Sequence, residues 1–158
     1  MSETRGLNRL KPWIPAFLVA VLISAFSTHY FSDSQTGRVI LPILHKLFPW
    51  ASSRSLDLMH KGIRKLAHVT EFAVFSAAVF HGVQAGRSGW RITWALLTLG
   101  IASAYASLDE LHQLLVPLRH ASPRDVLIDT FGALLAQVFV WWNATRKTFF
   151  GWTRDSSG

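Results

Sequence analysis

Four apolar runs separated by polar segments limit the folds open to this chain more than any other feature. They cover about residues 13–30, 66–84, 90–108 and 125–142. A helix needs about 20 mainly apolar residues to cross the hydrocarbon core of a bilayer, because each residue adds about 1.5 Å along the axis. A span must also satisfy its own backbone hydrogen bonds in lipid, which favours helices. The sequence therefore predicts an all-α polytopic membrane protein with four transmembrane helices.

Composition agrees with this class and excludes others. Half of the 158 residues are hydrophobic, and no cysteine is present, which excludes disulfides, thiolate metal sites and cysteine nucleophiles. The net charge of +7 comes from basic residues that flank apolar segments, where they face anionic headgroups. No basic run is interleaved with stacking aromatics, so we expect no nucleic-acid partner. We expect one membrane domain over residues 1–158, with its core at about 13–142.

The first apolar run and the segment after it leave two choices open. A basic start followed by an apolar core is also typical of a signal peptide, but no A-x-A cleavage site follows it, so we expect a retained helix. Between the first and second spans, hydrophobic residues recur at helical spacing from Val39 to Phe48 and predict a short amphipathic helix at the membrane interface, ended by Pro49. Residues 56–63 predict a second such helix, with a solvated loop as the alternative.

The polar stretch at residues 109–132 is the strongest candidate for a site. It holds four carboxylates, two histidines, two arginines and a glutamine between apolar runs. Ionisable groups at membrane depth are costly, so their presence indicates function. On a helix Asp109 shares a face with His112 and Gln113, and a carboxylate beside an imidazole is an arrangement that general bases use. Glu110 points elsewhere and is expected at a solvated edge. Residues 109–124 predict a polar connection between spans.

The second and fourth spans carry further ionisable groups. Lys65, His68 and Glu71 repeat at three-residue spacing, which makes them neighbours on one helix, although snorkelling also explains Lys65. Asp125 and Asp129 lie one turn apart. The same side of the helix continues with small residues, which permit close helix packing: Gly132, Ala133 and Ala136. This side is therefore expected to point into the bundle.

The start of the fourth span is well defined. Ser122 is predicted to cap the helix and Pro123 to occupy its first position. Asp125 is also explained as a carboxylate stabilised by the helix dipole, whereas Asp129 needs a partner, for which Arg119, Lys65 and His68 are candidates.

Charge and aromatic residues favour cytoplasmic termini. The amino end, the turn at residues 85–91 and the tail carry eight Lys and Arg, and the opposite loops also carry eight. The number of Lys and Arg in the opposite loops falls to four when the residues bordering the polar cluster are set aside: Arg64, Lys65, Arg119 and Arg124. Six tryptophans then fall on the cytoplasmic side as an aromatic belt: Trp13, Trp90, Trp94, Trp141, Trp142 and Trp152.

Two motifs resemble those of the VanZ-like membrane protein family. They are R-K-x-x-H-x-x-E-[FY] at residues 64–72 and D-E-x-H-Q-x-x-V-P-x-R-x-x-[ST]-x-x-D-V-x-x-D-x-x-G at residues 109–132, within a resemblance covering about 13–142. The resemblance implies a small four-span protein of the bacterial cytoplasmic (inner) membrane, in a family whose name-giving member is associated with resistance to the glycopeptide teicoplanin. The polar signature of the family falls here on Lys65, His68, Glu71, Asp109, Glu110, His112, Gln113, Arg119, Asp125 and Asp129.

Three functions remain open at this stage. The first is binding or modification of an anionic envelope component, a lipid or lipid-linked precursor, through Arg119, Lys65, Gln113, Asp125 and Asp129. The second is a membrane hydrolase or transferase with His112, Asp109, His68 and Glu71 as catalytic residues. The third is a structural role in a membrane-protein complex or homo-oligomer. No H-E-x-x-H or comparable ligand spacing is present, so we expect no metal or other cofactor.

Overall fold

The computed structural model describes residues 10–28, 32–115 and 122–155, and every regular element in these ranges is helical. A 3-10 turn at Lys11–Trp13 leads into α1 (Ile14–Phe26), which is followed by α2 (Asp33–Leu47) and α3 (Ser53–Gln84). The chain continues with α4 (Ile92–Leu114) and α5 (Pro123–Asp155). Helix α3 lies at the centre and packs against all the others. The all-α prediction is confirmed for the part of the chain that is described.

Three helices are long and apolar enough to cross a membrane: Ser53–Gln84, Ile92–Leu114 and Pro123–Arg146. The apolar helix at Lys11–Phe26 is shorter than a typical span. The membrane character expected from the sequence is thus confirmed, while the fourth span remains a prediction.

Helix α3 begins well before residue 66, where the second span was predicted to start. The side chain of Ser52 accepts a hydrogen bond from the Ser55 backbone N–H at 3.2 Å and so caps the helix. Residues 56–63 are therefore the first turns of α3, and the prediction of a separate interfacial helix there is wrong. Leu56 and His60 are buried on this part of α3, and α2 packs along the same helix, which explains why the helix continues through a polar sequence.

Helices α4 and α5 are also longer than predicted. Helix α4 continues to Leu114, so residues 109–114 are helical and not part of a polar connection. The side chains of Asp109, Glu110 and Gln113 are buried and hydrogen-bonded within the protein. Because their polar groups are satisfied there, the helix continues through them. Helix α5 extends beyond residue 142 to Asp155. Its predicted start is confirmed, because the helix begins at Pro123 and the Ser122 hydroxyl accepts from the Arg124 N–H at 3.2 Å.

Close packing of α3 on α5 confirms the predicted inward-facing stripe of small residues. A Cβ added to Gly132 would collide with the backbone carbonyl of Val69 on α3. Ala133 is fully buried and Ala136 is 9% exposed. The two helix backbones therefore approach each other here at a distance that only glycine permits.

Aromatic rings and a few hydrogen bonds hold the bundle together. Phe75 packs on Tyr105 with ring centroids 4.8 Å apart, and the Tyr105 hydroxyl donates to the Ala20 carbonyl at 2.7 Å. That bond joins α4 to α1. The Gln137 amide donates to Ser76 Oγ at 2.8 Å and joins α5 to α3. Such bonds between helices satisfy polar groups that find no water in the membrane interior.

The bundle has two chemically different ends. At one end Trp13 lies against Gly82, and Arg87 and Arg91 lie over the Trp94 ring; we call it the basic end. At the other, the ends of α1 and α4 meet the start of α5 and the middle of α3, and we call it the polar end.

Candidate functional site

The buried carboxylate of Asp109 joins two helices at the polar end. Its Oδ2 accepts from Ser27 Oγ at 2.7 Å and from Gln113 Nε2 at 2.9 Å. Ser27 follows the last residue of α1, and Gln113 lies one turn further along α4. Both Asp109 and Gln113 are predicted site residues, and the structure brings them together. Ser27 was missed, because a hydroxyl at the end of an apolar run indicates no particular partner.

His68 lies between two carboxylates. Its Nδ1 is 3.8 Å from Asp129 Oδ1 on α5 and 3.9 Å from Glu71 Oε2 on its own helix. Asp129 is only 2% exposed, and its Oδ1 accepts no hydrogen bond from the described residues. Of the three cations considered as partners for Asp129, His68 is the one that the described structure places beside it. The buried carboxylate therefore has a cationic partner when His68 is protonated.

Lys65 and Asp125 form a pair at the rim of this cluster. Lys65 Nζ is 3.8 Å from Asp125 Oδ1, and both side chains are about half exposed, at 57% and 43%. Exposed ion pairs contribute only about 0–1 kcal/mol, so this pair does little for stability. It places a positive and a negative group at the exposed surface, one helical turn from His68 and Asp129.

Glu110 and His112 do not lie where the sequence predicted. Glu110 is 6% exposed and accepts a hydrogen bond from the Ser122 backbone N–H, so the expectation of a solvated edge is wrong. It ties the end of α4 to the start of α5, a long-range contact that helical spacing cannot reveal. His112 is exposed, and no hydrogen bond to Asp109 forms within the described residues, since Asp109 is turned towards Ser27. Arg119 lies outside the described residues.

A second polar cluster attaches α2 to α3 beside the site. Arg64 Nη1 donates to Thr36 Oγ1 at 2.9 Å, and Arg64 Nε is 3.3 Å from Asp33 Oδ1. The buried His60 places Nε2 at 3.1 Å from Thr36 Oγ1 and Nδ1 at 3.6 Å from Asp33 Oδ1. Sequence reasoning missed His60, because a single histidine on an amphipathic segment gives no sign of burial.

Two adjoining grooves lead from this polar region along the exposed apolar side of α1 and α3. The first is a cavity of about 260 Å³, with walls formed by Phe26, Thr36, Ile40, Arg64, His68 and Glu71. The second is an apolar groove of about 490 Å³ between α1 and α3, lined mainly by Val19, Leu22, Ile23, Leu66, Thr70 and Val74. Four residues line both grooves: Phe26, Ile63, Ala67 and Glu71. An elongated molecule can therefore contact the polar cluster and the apolar wall together.

His, Asp and Glu side chains are also the donors that a metal site would use. In residues 10–28, 32–115 and 122–155, no three His, Asp or Glu side chains are arranged to hold a metal ion. Within those ranges Asp109 and Glu110 accept from hydroxyl, amide and backbone donors, Asp129 faces His68, and Asp33 and Asp125 lie beside Arg64 and Lys65.

Fold and site together define a helical membrane protein with a buried carboxylate–histidine cluster at one end of its bundle. A family model described as VanZ/LLP1 matches residues 12–144. The chain belongs to this family, and the resemblance carried by the two motifs is confirmed. Searches of curated proteins and of solved structures returned no match.

Proposed function

We propose that this protein binds an anionic amphiphile of the cell envelope, a lipid or a lipid-linked precursor, at the polar end of the bundle. The observation that carries the proposal is the shared wall of the two grooves, formed by Phe26, Ile63, Ala67 and Glu71. The hydrocarbon chain of the ligand lies in the apolar groove along α1 and α3. Its headgroup lies in the smaller cavity beside Arg64 and His68. Ligand sites commonly combine apolar walls with a few polar groups in this way.

The charges of the site indicate what kind of headgroup fits. Arg64 and His68 line the cavity and can bind a phosphate or carboxylate, with Lys65 at the rim. We include Arg119 in this set as an anion-binding residue, on the strength of its place in the family motif. The carboxylates of Glu71 and Asp129 would repel a bare anion, but they accept hydrogen bonds from hydroxyl or amine groups. A headgroup that joins a phosphate to a sugar or amine therefore matches both kinds of residue.

We place the site on the outer side of the bacterial cytoplasmic membrane. Support comes from the basic end of the bundle, where Arg87, Arg91 and Arg146 fit the cytoplasmic side by the positive-inside rule. In this position the ligand belongs to the outer leaflet, where cell-wall precursors are used and glycopeptides bind them. Tolerance to teicoplanin follows if this protein alters the amount or accessibility of such a precursor.

The proposal is tested by native mass spectrometry of the protein extracted with its own lipids. Ala67→Phe fills the junction of the two grooves from an exposed position on α3. Ala104→Phe is the matched control, since Ala104 is also exposed but lies on α4 away from both grooves. We expect the wild type and Ala104→Phe to retain an anionic amphiphile that Ala67→Phe and Arg119→Gln lose. Equal retention by all four proteins would refute the proposal.

A second candidate function is a hydrolase or transferase acting on the same amphiphile. It is favoured by His68, whose ring lies in the wall of the cavity with Asp129 and Glu71 beside Nδ1. In this role His68 is the general base, and the carboxylates orient its ring. His68→Gln would then abolish conversion of an amphiphile that still binds through Arg64 and the apolar groove. Loss of conversion in His112→Gln instead would assign the base to the exposed His112.

A further inference from the structure

A third groove lies at the basic end of the bundle, remote from the polar cluster. It has a volume of about 620 Å³ and lies between the last turns of α3 and the facing part of α5. Phe80, Phe139 and Val140 form apolar walls, and His81, Gln84 and Asn143 add polar groups. Because α3 and α5 are apolar enough to span a membrane, this groove opens towards lipid close to one membrane surface.

The residues that line this groove carry no Asp, Glu, Lys or Arg, but three arginines lie close in sequence to lining residues: Arg87, Arg91 and Arg146. Arg87 and Arg91 place their guanidinium carbons 4.6 and 5.1 Å from the centroid of the Trp94 ring. Arg146 lies 4.3 Å from the centroid of the Trp142 ring. Arg87 also donates to the carbonyls of Val83 and Gln84 and so offsets the partial negative charge at the C-terminus of α3. Stacking on tryptophan holds these cations at the level of the lipid headgroups.

We propose that this groove is a binding site for an anionic phospholipid of the leaflet at the basic end. One acyl chain lies along Phe80 and Phe139, and the phosphate lies at the end of the groove next to Ser88 and Ala144, where Arg91 and Arg146 follow in the sequence. The neutral rim formed by Gln84 and Asn143 can donate to headgroup oxygens. A second copy of this chain is a poorer occupant, because it would bring the same positive charge to the same surface.

The charge requirement is tested with the full-length protein in detergent, titrated with phosphatidylglycerol or phosphatidylcholine and followed by native mass spectrometry. We expect one phosphatidylglycerol to bind more tightly than phosphatidylcholine. The double variant Arg91→Gln/Arg146→Gln should weaken that binding about fivefold for each arginine removed. Arg38→Gln, which removes an exposed arginine from α2, should change nothing. Equal affinity for the two lipids, or an unchanged affinity in the double variant, would overturn the proposal.

The location of the site is tested separately by filling it. Ala77 is exposed and lines the groove, so Ala77→Phe should remove one bound phosphatidylglycerol while Ala104→Phe keeps it. Ala67→Phe at the polar end should leave this lipid in place, which separates the outcome from that of the first proposal. If Ala77→Phe retains the same number of anionic lipids as the control, the groove is not the site.

Discussion

The carboxylates at the polar end differ in how their charge is balanced. Asp109 is held by two neutral donors, Ser27 and Gln113, whereas Asp129 faces the ring of His68. A buried polar group without partners costs about 1–3 kcal/mol, so each of these contacts has consequences for stability. Asp109 serves to attach α1 to the bundle. Asp129 and His68 lie where a ligand headgroup can reach the histidine.

The attachment of α1 can be measured with a double-mutant cycle. We expect Ser27→Ala and Asp109→Ala to be coupled by about 0.6–2 kcal/mol, because each substitution removes one partner of the same hydrogen bond. Reversible unfolding of the purified protein in mixed micelles gives the four free energies. Ser107→Ala is the control partner, because Ser107 is exposed and its hydroxyl donates to Ser103. Coupling no larger than the control value would contradict this role of Asp109.

Which residues the sequence could identify depended on their chemistry. His68, Glu71, Asp109 and Asp129 stand out because ionisable groups are rare in apolar helices. Ser27 and His60 were missed, because a hydroxyl or a single histidine acquires meaning only from the helix packed against it. Glu110 was misplaced for the same reason: its partner, the Ser122 backbone, is brought close only by the return of the chain in α5.

At the scale of elements, the long central helix α3 organises the fold. Its first turns hold α2 through Thr36, Arg64 and His60, its middle carries the site, and its end borders the groove at the basic end. The sequence predicted separate pieces here because polar residues interrupt the hydrophobic run. The Ser52 cap and the burial of Leu56 and His60 beside α2 carry the helix across this segment, and membrane hydropathy does not describe either contribution.

The contact between α3 and α5 yields a stability prediction. Gly132→Ala should lower the free energy of unfolding by about 1–3 kcal/mol, because the added methyl group meets the Val69 carbonyl, which cannot move aside. Gly100→Ala is the matched control in α4, where nothing lies within 4 Å of the new Cβ. That control should be neutral or slightly stabilising. Equal shifts in the melting temperatures of the two variants would show that α3 and α5 do not approach so closely.

The docking of α2 yields a prediction about dynamics. Thr36→Val removes the oxygen that accepts from Arg64 and lies 3.1 Å from His60 Nε2. We expect faster hydrogen exchange across residues 33–47 and unchanged exchange in α4 and α5. Thr70→Val serves as the control, since Thr70 is exposed and its hydroxyl donates to Leu66 of its own helix. Unaltered protection of α2 would mean that these bonds do not hold the helix in place.

At the scale of the whole molecule, charge is distributed unevenly between the two ends. The carboxylates of the site gather at the polar end, while the described charges around the last turns of α3 are arginines. The all-α class and the approach of His68, Glu71 and Asp129 to one another could be predicted from hydropathy and motifs. The grooves could not, because they arise from how α1, α2 and α5 lie against α3, which depends on contacts between distant residues.

This asymmetry predicts the orientation of the protein. The chain has no cysteine, so single cysteines introduced by Ser88→Cys and Leu115→Cys can be labelled without background. Both positions are exposed, the first at the basic end and the second at the polar end. In whole cells an impermeant maleimide should label position 115 directly and position 88 only after permeabilisation. The opposite pattern would place the site on the cytoplasmic side.

The central claim, that the polar cluster and the adjoining groove hold one anionic amphiphile, is tested most directly by photo-crosslinking in cells. A photoreactive phenylalanine replaces Ile63, which lines both grooves, or Leu97, which is exposed on α4. Mass spectrometry of the adducts should show one anionic amphiphile enriched at position 63 and the average membrane lipids at position 97. The same lipid mixture at both positions would contradict the account.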